Sequence, residues 1–414
     1  MIKMKFNTAL IHSKASAAER NKAAGATIPP IYQVSAFEHE SAEQLEKVFD
    51  NKVPGFAYTR IANPTVSAFE QRIAAIENAA GAVACSSGMA AVTMSLLNIL
   101  RAGDEIIAGA GLFGGTLDLL GDLKAYGIST RFVHHVNTGE IEPLINEKTR
   151  VIYAELIGNP ALDVVDIKSV SALAHKHGIP LIIDSTTATP YMIKPVEYGA
   201  DIVVHSSSKY INGGGNSISG VIVDSGKFNW DLSKYEGLAE YKKFGKLAYT
   251  AKLRGGIWRN VGACLAPMNA FMNIVGLETM GLRMERCCEN AGRLAKFLEA
   301  DGRVKFNYPA LRSSPYYELC QRQFSGKGGA IVTIRTGSRE KAFRLINSLK
   351  YAGIATNIGD IRTLVIHAAS TIYIHSDETC KANAGVFEDT VRISVGIEDI
   401  DDLMEDFGQA IEKM

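Results

Sequence analysis

Between residues 81 and 224 the chain alternates short apolar runs with longer stretches of helical period. The runs at 81–85, 104–108, 151–155, 179–184, 201–205 and 220–224 are rich in Ala, Val, Ile and Leu, and a shorter, more mixed run stands at 130–133. Runs of that length without polar alternation predict strands buried on both faces. Helices are predicted from Asn63-Pro64-Thr65 to Ile76, over 90–100, from Leu117 and over 170–177. Strands separated by helices imply a mostly parallel sheet covered on both sides, an α/β fold. In such sheets ligands bind beyond the carboxyl ends of the strands. Ser87, Phe113, Glu155, Asn159, Asp184, Ser206 and Lys209 all fall there.

The flanks read differently. Residues 1 to about 60 carry weak helix signals and are broken at Ile28-Pro29-Pro30 and Pro54-Gly55. One capped helix follows Ser41. This segment reads as an arm that packs on something else, such as a partner subunit. Residues 228–259 form a polar, aromatic-rich insertion without a clear pattern. Residues 263–298 are helical and link to a smaller α+β region, with strands at 330–335, 363–367 and 391–396 and helices at 341–350 and 400–413. Three units are expected: the arm 1–60, a large domain 61–262, and a linking helix with C-terminal domain 263–414.

Composition narrows the class. The 414 residues are 47% hydrophobic, and 44 basic residues balance 44 acidic ones. That balance gives no attraction to nucleic acid or an anionic membrane. Six cysteines without a C-x-x-C pair suit a reducing, cytoplasmic protein with free thiols. No apolar run approaches the roughly 20 residues that span a bilayer. Asn7, Thr8, His12 and Lys14 interrupt any signal-peptide core. His175-Lys176-His177 does not put both imidazoles on one helix face, and His134-His135 is poor ligand geometry on a strand, so no metal site is expected.

The candidate chemistry centres on VVHSSSKYINGGG at 203–215. Lys209 follows a buried strand, where desolvation favours a neutral, nucleophilic amine. The neighbouring serines can donate to a phosphate. A lysine able to form a Schiff base beside a phosphate cup is what pyridoxal phosphate requires; a surface lysine after a strand-turn is the other reading. Ser86-Ser87-Gly88-Met89 between a strand and an apolar helix is an anion-binding arrangement. Asp184 can pair with a protonated pyridine nitrogen or cap a helix. Arg392, on an apolar strand, can hold a carboxylate or form a structural ion pair. Phe113, between glycine-rich flanks, can stack on a flat ring or anchor its loop.

With YTRIANPT (58–65), SSGMAA (86–91), LFGGT (112–116), ELIGNP (155–160), IDSTTATP (183–190), HSSSKYINGGG (205–215) and VRISVGIED (391–399) in order, the chain resembles the Cys/Met-metabolism pyridoxal-phosphate enzymes over nearly its whole length. Within that group it is most similar to the O-acetylhomoserine sulfhydrylases, by the 228–260 insertion, the run 262–283 and NIGDIRTLVIHAAST (357–371). The resemblance implies a type I aminotransferase-like fold and a homotetramer of two close dimers. It implies that Lys209 carries the cofactor and moves protons, and that Asp184 meets the ring nitrogen. Ser87, Gly88, Met89, Thr186, Ser206 and Ser208 would surround the cofactor, with Phe113 over its ring and Asn159 near its phenolic oxygen. Tyr58 and Arg60 would reach the phosphate from the neighbouring subunit. Arg392 and Asn357 would face the substrate.

The implied reaction is replacement at Cγ of O-acetyl-L-homoserine by sulfide or methanethiol, giving homocysteine or methionine and acetate. A methionine or cystathionine γ-lyase, a cystathionine γ-synthase and a non-catalytic binding protein are the alternatives. Three features depart from the family pattern. Phe113 stands where many members, the lyases above all, have tyrosine. Ser185 stands where asparagine is common. Ala368, Ile372 and Tyr373 replace a frequent Pro and Thr-His.

Overall fold

A computed structural model describes residues 4–12 and 25–414. Parts of the expected arm, residues 1–3 and 13–24, lie outside the described residues. Seven strands form the larger sheet: β1 (Gly81–Cys85), β2 (Glu105–Gly109), β3 (Ser129–Val133), β4 (Thr149–Glu155), β5 (Leu181–Asp184), β6 (Ile202–His205) and β7 (Gly220–Asp224). Their order is β1-β7-β6-β5-β4-β2-β3. β7 runs antiparallel to both neighbours, and the other adjacent pairs are parallel. The carboxyl ends of β1, β2, β4, β5 and β6 therefore share one edge.

Consecutive residues of the central strands enter opposite cores. Ile152, Ile183 and Val203 pack with Phe69, Ile73 and Leu277 on one face. Tyr153, Ile182 and Val204 pack with Val92, Leu96 and Trp258 on the other. This is the two-sided burial that the unbroken apolar runs require.

A second sheet, β8 (Lys305–Asn307), β9 (Ile331–Arg335), β10 (Gly353–Ile354), β11 (Leu364–His367) and β12 (Thr390–Ser394), has the order β10-β11-β12-β9-β8. Leu294 and Leu298 of the helix Met280–Asp301, and Leu403 and Phe407 of Ile400–Glu412, cover one face through Val332, Ile334 and Ile393. The predicted linking helix is two, Pro267–Glu278 and Met280–Asp301.

Two expectations change. The arm is not wholly separate from its own chain: helix Phe6–His12 buries Leu10, and Phe6 meets the Tyr191 ring edge-on at 5.7 Å. The 228–259 insertion is ordered by aromatic packing rather than by periodicity. Trp230 stacks on Tyr249 at 5.5 Å, Tyr249 donates to the Ser95 carbonyl at 3.0 Å, and Trp258 donates to the Ala84 carbonyl at 3.0 Å. Its 3-10 run and short helices, Ala248–Gly255 and Ile257–Val261, are too brief to show a helical repeat.

Candidate active site

A cavity of about 550 Å³ opens at the carboxyl edge of the large sheet. Its floor begins after β1. Ser87 caps the helix Gly88–Leu97, its hydroxyl accepting from the Ala90 amide at 3.0 Å. The amides of Gly88 and Met89 are the first of that helix, have no partner among the described residues, and lie at the positive end of its dipole. A Cβ on Gly88 would stand 2.6 Å from the Ser206 Cβ and 2.7 Å from its Oγ. Only glycine lets the helix start press against the 206–208 turn, and the result is a cradle of N–H and O–H donors. The two serines differ within it. The Ser206 amide donates to Thr186 Oγ1 at 2.8 Å. The Ser208 hydroxyl already donates to the Ser219 carbonyl at 3.0 Å and accepts from the Ser219 amide at 2.8 Å.

Asp184 ends β5 and accepts from the Thr186 amide at 2.9 Å. It caps no helix, since Thr189–Met192 begins after Ala188. Burial pushes its pKa upward, opposed first by the Thr186 hydrogen bonds and further by His205. A cation against this carboxylate would relieve the desolvation, and a protonated ring nitrogen is such a group. His205 is itself buried on Glu77, with Nε2 and Oε1 2.7 Å apart.

Lys209 Nζ donates to Asn357 Oδ1 at 2.7 Å. Burial, and then the positive charge of Arg392, lower its pKa, which favours the neutral amine. Arg392 is 2% exposed on β12. It donates through Nη2 to the Asn357 carbonyl at 2.9 Å and through Nη1 to Asn159 Oδ1 at 3.4 Å. No carboxylate pairs with it among the described residues, so the structural ion-pair reading fails. Its Nε has no partner among the described residues, and burial lowers its pKa to about 10. A buried guanidinium held only by amide oxygens is suited to an incoming carboxylate.

Phe113 precedes the helix Gly114–Leu123, and its ring is half-exposed to the cavity. Gly115 leaves room for it, since a Cβ there would approach the ring to 2.8 Å and the ring would have to shift.

Twelve expected residues line this cavity: Ser87, Gly88, Met89, Phe113, Asn159, Asp184, Thr186, Ser206, Ser208, Lys209, Asn357 and Arg392. Tyr58 and Arg60 do not. They lie half-exposed, with Arg60 donating to the Arg259 carbonyl at 2.8 Å and its guanidinium 5.7 Å from the Tyr58 ring centre. Sequence reasoning gave no role to Glu155, Thr187, Ser217, Thr356 and Ile358, which also line it. Glu155 was recognisable, since it ends a buried strand just as Asp184 does. Of the departures, Ile372 lines the cavity. The Tyr373 hydroxyl is buried within hydrogen-bond distance of the Leu112 and Asn159 carbonyls, at 3.1 and 3.3 Å. Ser185 is fully buried, and its hydroxyl has no partner among the described residues. The discounted His175 pairs with Asp201 at 2.9 Å.

The donor cradle, the buried acid opposite it, the amine of lowered pKa and the unpaired arginine fit pyridoxal phosphate and an amino acid together. The sequence matches the model of the Cys/Met metabolism PLP-dependent enzymes over residues 7–412. The chain belongs to this family. It is 39% identical to an O-acetyl-L-homoserine sulfhydrylase of Corynebacterium glutamicum, covering 97% of this chain and 95% of that one. It is 37% identical to a homocysteine synthase of Schizosaccharomyces pombe, covering 98% of each. A crystal structure described as an O-acetylhomoserine (thiol)-lyase of Campylobacter jejuni superposes with a TM-score of 0.94 at 31% identity, over 99% of this chain and 100% of that one. That structure contains N'-pyridoxyl-lysine-5'-monophosphate. The cofactor of this Cys/Met metabolism enzyme is pyridoxal phosphate, and its type I aminotransferase-like fold is the one expected.

Proposed function

We propose that this enzyme replaces the acetate of O-acetyl-L-homoserine with sulfide or methanethiol. The observation that carries the reading is the convergence of half-buried Lys209 and Asp184 and buried Arg392 on one cavity that Phe113 also lines. Pyridoxal phosphate, when bound, supplies the electron sink that makes removal of the substrate Cα proton feasible. Asp184 pairs with the ring nitrogen and keeps it protonated. The amides of Gly88 and Met89 and the Ser206 hydroxyl hold the phosphate. Arg392 takes the substrate carboxylate and fixes the Cα–H bond toward Lys209. Lys209 Nζ accepts the Cα proton and later returns it. A Cβ proton also leaves, the Cγ–O bond breaks as acetate departs with the electron pair, and the thiol forms the C–S bond at Cγ as protons return to Cβ and Cα, its own proton ending on the released acetate or solvent.

Phe113 argues for an ester rather than a thioether substrate. It covers the ring but has no hydroxyl to protonate a leaving group. Acetate is a weak base and leaves with little acid assistance, whereas a thiolate needs more. The same proposal assigns Tyr58 and Arg60 to the neighbouring subunit's phosphate within a homotetramer, and places residues 1–60, 61–262 and 263–414 as arm, cofactor domain and C-terminal domain. Their position outside their own chain's cavity supports this. A cytoplasmic location is part of the same reading, supported by free thiols at all six cysteines; among the described residues no helix is long and apolar enough to cross a membrane.

Incubation with O-acetylhomoserine and sulfide is expected to release acetate and homocysteine in equal amounts. Methionine or cystathionine alone is expected to give little 2-oxobutyrate. Rapid 2-oxobutyrate formation without added thiol would move the assignment to the γ-lyases.

A further inference from the structure

Glu155 ends β4, directly opposite Asp184 in the ladder. Its Oε1 accepts from the Phe113 amide at 2.6 Å, and the Asn159 backbone amide stands close enough to the same carboxyl to lower its pKa. One side chain therefore sits between the Phe113 loop and the loop that presents Asn159. The carboxyl also stands in the wall between two cavities. In front is the site described above. Behind lies a second cavity of about 480 Å³, bounded by Gly111, Gly158, Asp163, Tyr316 and the exposed His134 and His135.

We propose that Glu155 is a positioning residue that acts in its neutral form, holding Phe113 and Asn159 in place against the cofactor. This rests on the reading of the front cavity as the pyridoxal-phosphate site. A neutral carboxyl can accept from the Phe113 amide without setting a second negative charge beside Asp184. The groups facing it are Asp184 from β5, Tyr153 two residues back on its own strand, and Tyr373 from the segment after β11. Lys209 and Arg392 lie across the front cavity, and His134, His135 and Asp163 across the rear one, where Asp163 accepts from the Tyr316 hydroxyl at 2.8 Å. Burial first, and then the charge of Asp184, push the Glu155 pKa up to about 8, against the two amides that lower it.

The sign of the linkage follows. An acid whose folded pKa is raised costs the fold nothing below its ordinary value of 4.5, progressively more as pH rises toward about 8, and its full amount above that. Glu155→Gln keeps the acceptor and removes the cost. Two variants and two readouts test the proposal: thermal unfolding of the cofactor-free protein against pH, and pyridoxal-phosphate affinity with its absorption spectrum.

The expected result is that the Glu155→Gln melting temperature is level with wild type at and below about pH 4.5, gains on it progressively as pH rises to about 8, and keeps the full gain above that. Its cofactor affinity at pH 7 stays within about threefold of wild type, while Glu155→Ala loses about tenfold or more and shifts the visible band, because the Phe113 amide loses its acceptor and its ring is no longer held. Equal cofactor affinity for the Gln and Ala variants, or a Gln-minus-wild-type difference flat in pH, would overturn it. Should Glu155→Ala fail to fold, the pH window in Glu155→Gln still decides. Failure of the wild type itself to take up pyridoxal phosphate removes the reading beneath the proposal, and that result is distinct from a flat pH difference in the cofactor-free protein.

Discussion

Individual side chains in this site are defined by what their partners leave undone. Arg392 illustrates it: two amide oxygens orient the guanidinium, and no acid neutralises it among the described residues. The sequence showed an arginine on an apolar strand, which left an anion site and a structural ion pair both open. Only the neighbours brought in from the loop after β4 and from residue 357 separate them. Hydrogen bonds to charged groups contribute about 1.5–3 kcal/mol, so Arg392→Ala is expected to lower kcat/KM for O-acetylhomoserine by about 10- to 150-fold. The loss should appear mostly in KM, with the cofactor spectrum retained, and steady-state kinetics measures it. An unchanged KM would mean that the substrate carboxylate binds elsewhere. Lys209 and Asp184 were more legible, because a titratable residue at the end of a buried strand already implies a perturbed pKa. Ser208 was less so: its hydroxyl is committed to Ser219, a contact between residues 11 apart that no spacing rule announces.

Among the elements, the strands of the large sheet were readable almost to the residue, because those buried on both faces must be apolar throughout; β3, a mostly exposed edge strand, is the exception and is mixed in sequence. Helix starts were less readable. The helix after β1 begins at Gly88 rather than Ala90, and the one after β2 at Gly114 rather than Leu117. In both places glycines open the helix for packing reasons, against their low intrinsic propensity. At Gly88 the reason is the Ser206 contact. Gly88→Ala would force the cradle open, at the roughly 1–3 kcal/mol typical of overpacking. Its expected effect is about 5- to 150-fold weaker pyridoxal-phosphate binding with the fold intact, read by cofactor titration alongside circular dichroism. Undiminished affinity would show that the helix start does not hold the phosphate. The 228–259 insertion was opaque for the opposite reason. Its order comes from rings and carbonyls far apart in the chain, such as Trp258 on Ala84 and Tyr235 on Arg150.

For the whole molecule, one chain builds most of a cofactor site and leaves its approach exposed. Tyr32, Val34, Phe49, Val53 and Tyr58 are large apolar side chains on the surface of one protomer, all within the arm. A surface of that kind suits burial by a second subunit. The sequence conveyed the arm's weak core pattern but not that Phe6–His12 docks on its own chain, since seven residues carry too little periodicity to show which surface they meet.

The central claim is that, of all the lysines in this protein, Lys209 alone carries the cofactor. Borohydride reduction of the purified holoprotein, digestion and peptide mass mapping test it most directly. A phosphopyridoxyl mass on the peptide containing Lys209, and its loss from that peptide in Lys209→Ala, is the predicted result. The label on any other lysine, or none on a protein that still converts O-acetylhomoserine, would contradict the account.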